Sequence, residues 1–204
     1  MELEQKKVCL PEKSFPPGKI KIMNALSELM REKDFHSITT ADIAATAGVT
    51  EGLIYKYFKD KKDLLYQVLN GHFQTFQHYI TRKIAAQTAS VDKLRIIIKT
   101  SLKSYAVNRV FARILLLEVR NSSNYFESDA YDMVKIYSRT ILDIISQGID
   151  AGEIREDVDP HALRQVILGS IEHACLGEVI FGKELDIDKV SENICNIIFK
   201  GVQK

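Results

Sequence analysis

The run from Ile38 to Leu69, ITTADIAATAGVTEGLIYKYFKDKKDLLYQVL, constrains this chain most, because it reads as two short capped helices joined by a tight turn. Thr39 stands three residues before Asp42, so its hydroxyl can accept the Asp42 backbone N–H while the carboxylate reaches back to the Thr39 amide. A helix is predicted from about Thr40, with Ile43, Ala44 and Ala47 as its apolar face. Gly48 can end it in a left-handed conformation without Cβ strain. Val49 buries the corner and Thr50 serves as a second N-cap for a helix from Glu51 to Phe58.

A helix of barely two turns cannot stabilise itself and must be held by its neighbours. Ile54 and Phe58, four apart, face inward, leaving Thr50, Glu51, Gly52, Tyr55, Lys56 and Tyr57 outward. Singly, Tyr55 and Tyr57 read as caps on a small core and Lys56 as a solvated surface residue. Together, on the second helix of a helix-turn-helix, they suit an element lying in the DNA major groove. Asp60 lies three before Asp63 and caps a further helix beginning at Lys61, where ammonium and free backbone N–H groups could both meet a phosphate. Over residues 14–66 basic and acidic side chains nearly balance, so DNA affinity must come from placed charges in two copies.

The run from Gly18 to Gly71 resembles the N-terminal domain of the TetR family of bacterial transcription regulators. The features that carry the resemblance are an amphipathic first helix, Phe35, the Thr39 and Thr40 pair, Asp42-Ile43-Ala44, Ala47-Gly48-Val49-Thr50, Gly52, Ile54-Tyr55, Tyr57-Phe58, and Lys61 before Leu64-Leu65. Leu53 stands where the family usually has a small polar residue, and Tyr57 where it usually has histidine. An exposed Leu53 could touch a thymine methyl group and Tyr57 could reach a phosphate. The resemblance thus implies DNA contacts from Thr39, Thr40, Thr50, Glu51, Gly52, Leu53, Tyr55, Lys56, Tyr57 and Lys61 on a palindromic operator.

The rest of the chain reads as helices. Ile22, Ala25, Leu26, Leu29 and Met30 form the stripe of the first. Leu65, Val68, Leu69, His72, Phe73, Phe76 and Ile80 continue one face along a long fourth helix. Leu94, Ile97, Ile98, Leu102 and Tyr105 mark a fifth, and Val110 to Val119 is apolar almost all round, as a buried central helix would be. Val134, Tyr137, Ile141, Ile144 and Ile145 mark a seventh, closed by the turn at GIDAGEIRED. An eighth runs from Pro160 to about Phe181, and Val190, Ile194, Ile197 and Ile198 mark a ninth.

The expected architecture is all-α with about nine helices: a flexible tail at 1–15, a three-helix helix-turn-helix domain at 16–62, and a helical ligand-binding and dimerisation domain at 63–204. No apolar run is long enough for a membrane span, the N-terminus lacks a signal-peptide core, and a cytoplasmic place is expected. Cys9, Cys175 and Cys195 are too scattered for a disulfide framework or a zinc site, and no metal or cofactor is expected. His72 and His78 share no helix face, and no HExxH or phosphate-loop pattern occurs, so an enzyme is not expected.

Two reading helices one DNA turn apart require a symmetric dimer. In the family the last two helices form it as an intermolecular four-helix bundle, which implies an interface of Val166, Gly169, Ser170, His173, Ala174, Gly177, Ile194 and Ile198. A small hydrophobic ligand is expected among Phe73, Phe76, Leu102, Tyr105, Phe111, Arg113, Leu115, Tyr137, Ile141 and Ile145, although such stripes also read as plain core. Glu118-Val119-Arg120, Asn121-Ser122-Ser123 and GIDAGEIRED resemble family members that control fatty-acid degradation and answer to long-chain acyl-CoA. That resemblance implies cations for the nucleotide, with Arg109, Arg113 and Arg120 as candidates; the same residues read equally as salt-bridge partners of Glu118 or Asp129. The expected function is a ligand-responsive regulator, a repressor released from its operator by the ligand. The alternatives are a regulator of an efflux or stress operon answering to another lipophilic compound, or a helical interaction protein that does not bind DNA.

Overall fold

The computed structural model describes residues 15–203; most of the expected N-terminal tail, including Cys9, lies outside the described residues. Among these residues there are nine α-helices and no β-strand: α1 (Pro17–Leu29), α2 (Thr40–Ala47), α3 (Glu51–Tyr57), α4 (Lys61–Ile84), α5 (Ser90–Val107), α6 (Arg109–Arg113), α7 (Asp129–Asp150), α8 (Pro160–Phe181) and α9 (Ile187–Val202). The all-α class and the helix starts at Thr40, Glu51, Lys61 and Pro160 follow the sequence expectation. The segment expected as one apolar helix over Val110 to Val119 differs. It is a five-residue α6 followed by a π-helical turn at Ile114–Glu118, closed by the Val119 N–H donating to the Ile114 carbonyl at 3.2 Å. A π turn rotates less per residue, which gathers Ile114, Leu115, Leu116 and Val119 on the buried side and leaves Leu117 outside.

The chain forms two compact units, one of residues up to 75 with 109–133, the other of 76–108 with 134–204. In the first, α1, α2 and α3 pack on one another. Their shared core is Ile22, Met23, Leu26, Ile43, Ile54 and Phe58, each at most 2% exposed. At roughly 1.5–3 kcal/mol for each such side chain removed from water, this burial supplies what a seven-residue α3 lacks on its own. The start of α4 adds Leu64, Leu65, Val68 and Leu69. Tyr66 donates to Ser122 Oγ at 2.8 Å, which fixes α4 to the segment following the π turn.

In the second unit α5 packs on both α8 and α9, with Leu94, Ile97, Ile98, Ile141, Ile145, Ile167 and Phe199 buried. The GIDAGEIRED turn has a role beyond ending α7. Gly152 takes φ 72°, a conformation that favours glycine. Glu153 then accepts the Ser90 and Val91 N–H groups, both at 3.0 Å, and so caps α5. Gly148 lies where a Cβ would come within 3.0 Å of Ser90 Cβ.

Candidate nucleic-acid interface

The Thr39 capping box is present. The Asp42 N–H donates to Thr39 Oγ1 at 3.0 Å, and Asp42 Oδ2 accepts the Thr39 N–H at 2.9 Å. Asp42 Oδ2 also accepts the Thr39 hydroxyl at 2.8 Å, and the Thr39 N–H and hydroxyl together hold the Asp42 carboxyl below the usual aspartate range. Gly48 closes α2 with φ 64° and ψ 42°, and the Val49 N–H donates back to the Ala44 carbonyl at 3.0 Å. The tight turn expected from the sequence is therefore made by Gly48 and Val49. Thr50 stands at the N-cap position of α3 in extended conformation, but its hydroxyl makes no capping hydrogen bond. Thr40 Oγ1 instead donates to Glu51 Oε2 at 2.7 Å, joining the first residues of α2 and α3.

Of the ten residues expected at DNA, Thr39, Thr50, Glu51, Gly52, Tyr55 and Lys56 are exposed and Thr40 is half-buried. Tyr55 is 57% exposed, which for an aromatic on so short a helix marks a surface left open. The other three are half-buried and make contacts within the protein. Leu53 and Tyr57, one turn apart, are half-buried against the start of α1: a Cβ on Gly18 would lie 3.2 Å from Leu53 Cδ2 and 3.4 Å from Tyr57 Cε2. They seat the reading helix. Lys61 donates from its ammonium to the carbonyls of Phe35 at 2.8 Å and Ile38 at 2.6 Å, with the Phe35 ring 4.4 Å away. Burial pushes its ammonium below the ordinary lysine range, opposed by the nearby Glu118 carboxylate.

Lys61→Ala is therefore expected to act on stability. It leaves two carbonyls without their charged donor, a loss of about 1–3 kcal/mol in denaturant unfolding. Unchanged stability with uniformly weaker DNA binding would return Lys61 to the phosphate role.

Arg113, expected at ligand, belongs to an ionic clasp. It pairs with Asp34, and its Nε lies 3.9 Å from Glu118 Oε1; Glu118 Oε2 in turn lies 3.6 Å from His36 Nε2. The clasp ties the turn before α2 to α6 and the π turn. Sequence reasoning offered Glu118 as a partner but had no signal for Asp34 or His36. Arg120 Nε donates to the Leu115 carbonyl at 3.3 Å.

Seven of the ten expected ligand residues, Phe73, Leu102, Phe111, Leu115, Tyr137, Ile141 and Ile145, are at most 8% exposed. They divide between the two units. Phe73 and Phe111 meet edge to face in the first, with centroids 5.2 Å apart. His72 lies 5.2 Å from the same Phe111 ring, and burial lowers its pKa to about 4. The folded state thus holds His72 neutral where the unfolded chain would protonate it near pH 6.5. Stability from this source is complete above pH 6.5 and declines toward pH 4, by about 3 kcal/mol in all. Urea midpoints between pH 7 and 4 should show this slope and His72→Phe should flatten it; an unchanged slope would contradict it.

In the second unit Phe76 and Tyr137 meet edge to face at 5.5 Å, and the Tyr137 hydroxyl lies 2.7 Å from Ser101 Oγ. Burial raises the tyrosine pKa well beyond its usual range, so this is a neutral polar pair inside an apolar interior. A polar cleft of 680 Å³ in the first unit, with Lys19, Tyr66, Asn70 and Asp129 among its walls, contains none of the ten.

On α8, the expected dimer residues Val166, Gly169 and His173 are exposed, while Ser170, Ala174 and Gly177 are half-buried. Cβ atoms at Gly169 and Gly177 would meet nothing within 4 Å. On α9 the expectation is corrected in phase. Ile198 is 6% exposed and packs in its own core, whereas Ile197, 77% exposed, faces outward. Ile180 and Phe181, not singled out from the sequence, extend the open apolar face.

Residues 22–68 match the family described as bacterial regulatory proteins, tetR family, and residues 60–201 match the YsiA-like protein C-terminal region. The chain belongs to the TetR family. It is a DNA-binding transcriptional regulator, and no helix among its described residues is long and apolar enough to cross a membrane. The fatty acid metabolism regulator protein of Bacillus subtilis strain 168 is 27% identical over 186 residues, 91% of this chain and 96% of that one. The crystal structure of the transcriptional regulator FadR from Bacillus subtilis in complex with stearoyl-CoA superposes with a TM-score of 0.81 at 27% identity, covering 90% and 99% of the two chains. The fatty acid degradation regulator FadR from Bacillus halodurans shares the fold, with a TM-score of 0.83 at 23% identity over 93% and 98%.

Proposed function

We propose that this TetR family regulator is a dimeric repressor of fatty-acid metabolism genes that leaves a palindromic operator when a long-chain acyl-CoA binds. The observation that carries the reading is similarity along nearly the whole chain, effector half included, to a FadR crystallised with stearoyl-CoA. On this reading residues 16–62 bind DNA and residues 63–204 bind ligand and partner. Glu51, Gly52, Tyr55 and Lys56 face the groove, and Leu53 and Tyr57 hold α3 on α1. The acyl chain lies among Phe76, Leu102, Tyr105, Tyr137, Ile141 and Ile145. The dimer forms on Val166, Gly169, His173 and Ile180 of α8 and Ile197 of α9, all of them exposed.

Helix α4 runs unbroken from Lys61 to Ile84, so ligand-driven displacement of its C-terminal half is carried along the helix to the end that adjoins α3. The coupling is reciprocal: DNA lowers ligand affinity by the factor by which ligand lowers DNA affinity, typically about 1–3 kcal/mol. Isothermal titration with palmitoyl-CoA, free and in the presence of bound operator, tests the reading. Heat of binding with operator release is expected. No heat and no release would remove the acyl-CoA and leave a TetR regulator answering to another lipophilic compound.

A further inference from the structure

The reading helix opens on a carboxylate, which is costly beside DNA phosphates unless it has a base to meet. Glu51 is exposed, and it is the one acidic side chain on α3. One of its oxygens, Oε2, accepts the Thr40 hydroxyl at 2.7 Å, an exposed side-chain contact eleven residues back in the chain. That bond restrains an otherwise free glutamate rotamer and occupies one lone pair, leaving Oε1 to accept from outside. An ionised carboxylate can only accept hydrogen bonds. Of the major-groove edges, guanine offers N7 and O6 and thymine offers O4, all acceptors that repel it. Adenine offers its N6 donor beside the N7 acceptor, a pair suited to an amide. Cytosine offers the N4 amino group as a donor without that adjacent acceptor.

We propose that Glu51 reads a cytosine N4 amino group in each operator half-site, and that Thr40 is the residue that positions it. The proposal rests on the DNA-binding reading above and adds to it the identity of one base pair. No covalent bond is made or broken; the contact is a hydrogen bond between a fixed acceptor and a base donor, worth discrimination because guanine and thymine face the carboxylate with acceptors only and adenine sets its N7 acceptor beside the N6 donor.

The test is selection of bound sites from a library of double-stranded oligonucleotides with a randomised palindromic core, using the full-length wild type, Glu51→Ala, Glu51→Gln and Thr40→Val. The wild type is expected to enrich a palindrome with one symmetric C·G pair, whose replacement lowers affinity by about 5- to 150-fold per half-site, the range of a single base contact. Glu51→Ala should enrich the same palindrome with that pair relaxed. Glu51→Gln should move the preference there toward A·T, since an amide satisfies adenine N6 and N7 together. Thr40→Val should keep the C·G preference with weaker discrimination, a change of base profile that mere loss of helix stability would not produce. Equal enforcement of the pair by wild type and Glu51→Ala would overturn the proposal while leaving the regulator intact. A wild type that enriches no sequence would overturn both. Circular dichroism on each variant reports whether the exposed substitution has left the fold in place.

Discussion

Ile197→Asp is expected to turn the protein into a monomer at micromolar concentration and to remove operator binding with it. The side chain is 77% exposed on the free chain, and Val166, Ile180 and Phe181 on the neighbouring α8 are also open. Monomeric proteins seldom leave large apolar patches open to water. In a two-fold interface the same substitution enters twice, so a buried carboxylate that costs about 2 kcal/mol per copy raises the dimer dissociation constant roughly 1,000-fold. Because operator half-sites are read by paired helices, operator affinity falls with the dimer. Sedimentation equilibrium alongside a melting curve separates this from unfolding: Ile198→Asp, in the protomer core at 6% exposure, should instead destabilise the fold. Retention of dimer and operator binding by Ile197→Asp would place the interface elsewhere.

The second large effect is expected from Tyr55→Ala. Tyr55 contributes little to the core, being 57% exposed, while the neighbouring Ile54 and Phe58 fill it. Its removal should leave unfolding nearly unchanged. On the operator it should cost about 1–3 kcal/mol per half-site and so about 30-fold to 25,000-fold for the dimer, with a smaller loss on random DNA. Lys56→Ala should weaken both DNAs alike and lower the salt slope by about one per protomer, the mark of a phosphate contact. Equal losses on operator and random DNA from Tyr55→Ala would contradict a base-reading role.

How much of this was legible in the sequence depends on how local each cause is. The Thr39–Asp42 capping box and the left-handed Gly48 are set by residues within a few positions, and both appear where the chain announces them. The paired helices and the TetR resemblance follow from that local chemistry. The seating of Leu53 and Tyr57 on α1 was not legible because it depends on Gly18, whose missing side chain leaves room for them. The partners of Lys61 were not legible because they are backbone carbonyls at Phe35 and Ile38, which leave no mark in side-chain pattern. Ile194, Ile197 and Ile198 give an ambiguous phase, and the packing of α9 on α5 resolves which side is core. The π turn after α6 was hidden for a related reason: an unbroken apolar run carries no period by which to detect a wider turn. Arg113 read as a ligand cation or a partner of Glu118, and only the fold brings Asp34 to it.

The central claim is that a dimer reads a palindrome through the exposed face of α3. Fluorescence anisotropy on a palindromic duplex recovered by selection, titrated at 50–200 mM salt beside a random duplex of equal length, tests it most directly. Two protomers per palindrome are expected, with affinity falling steeply with salt and random DNA bound at least about 1,000-fold more weakly. Equal affinity for the two duplexes, or binding to neither, would contradict it.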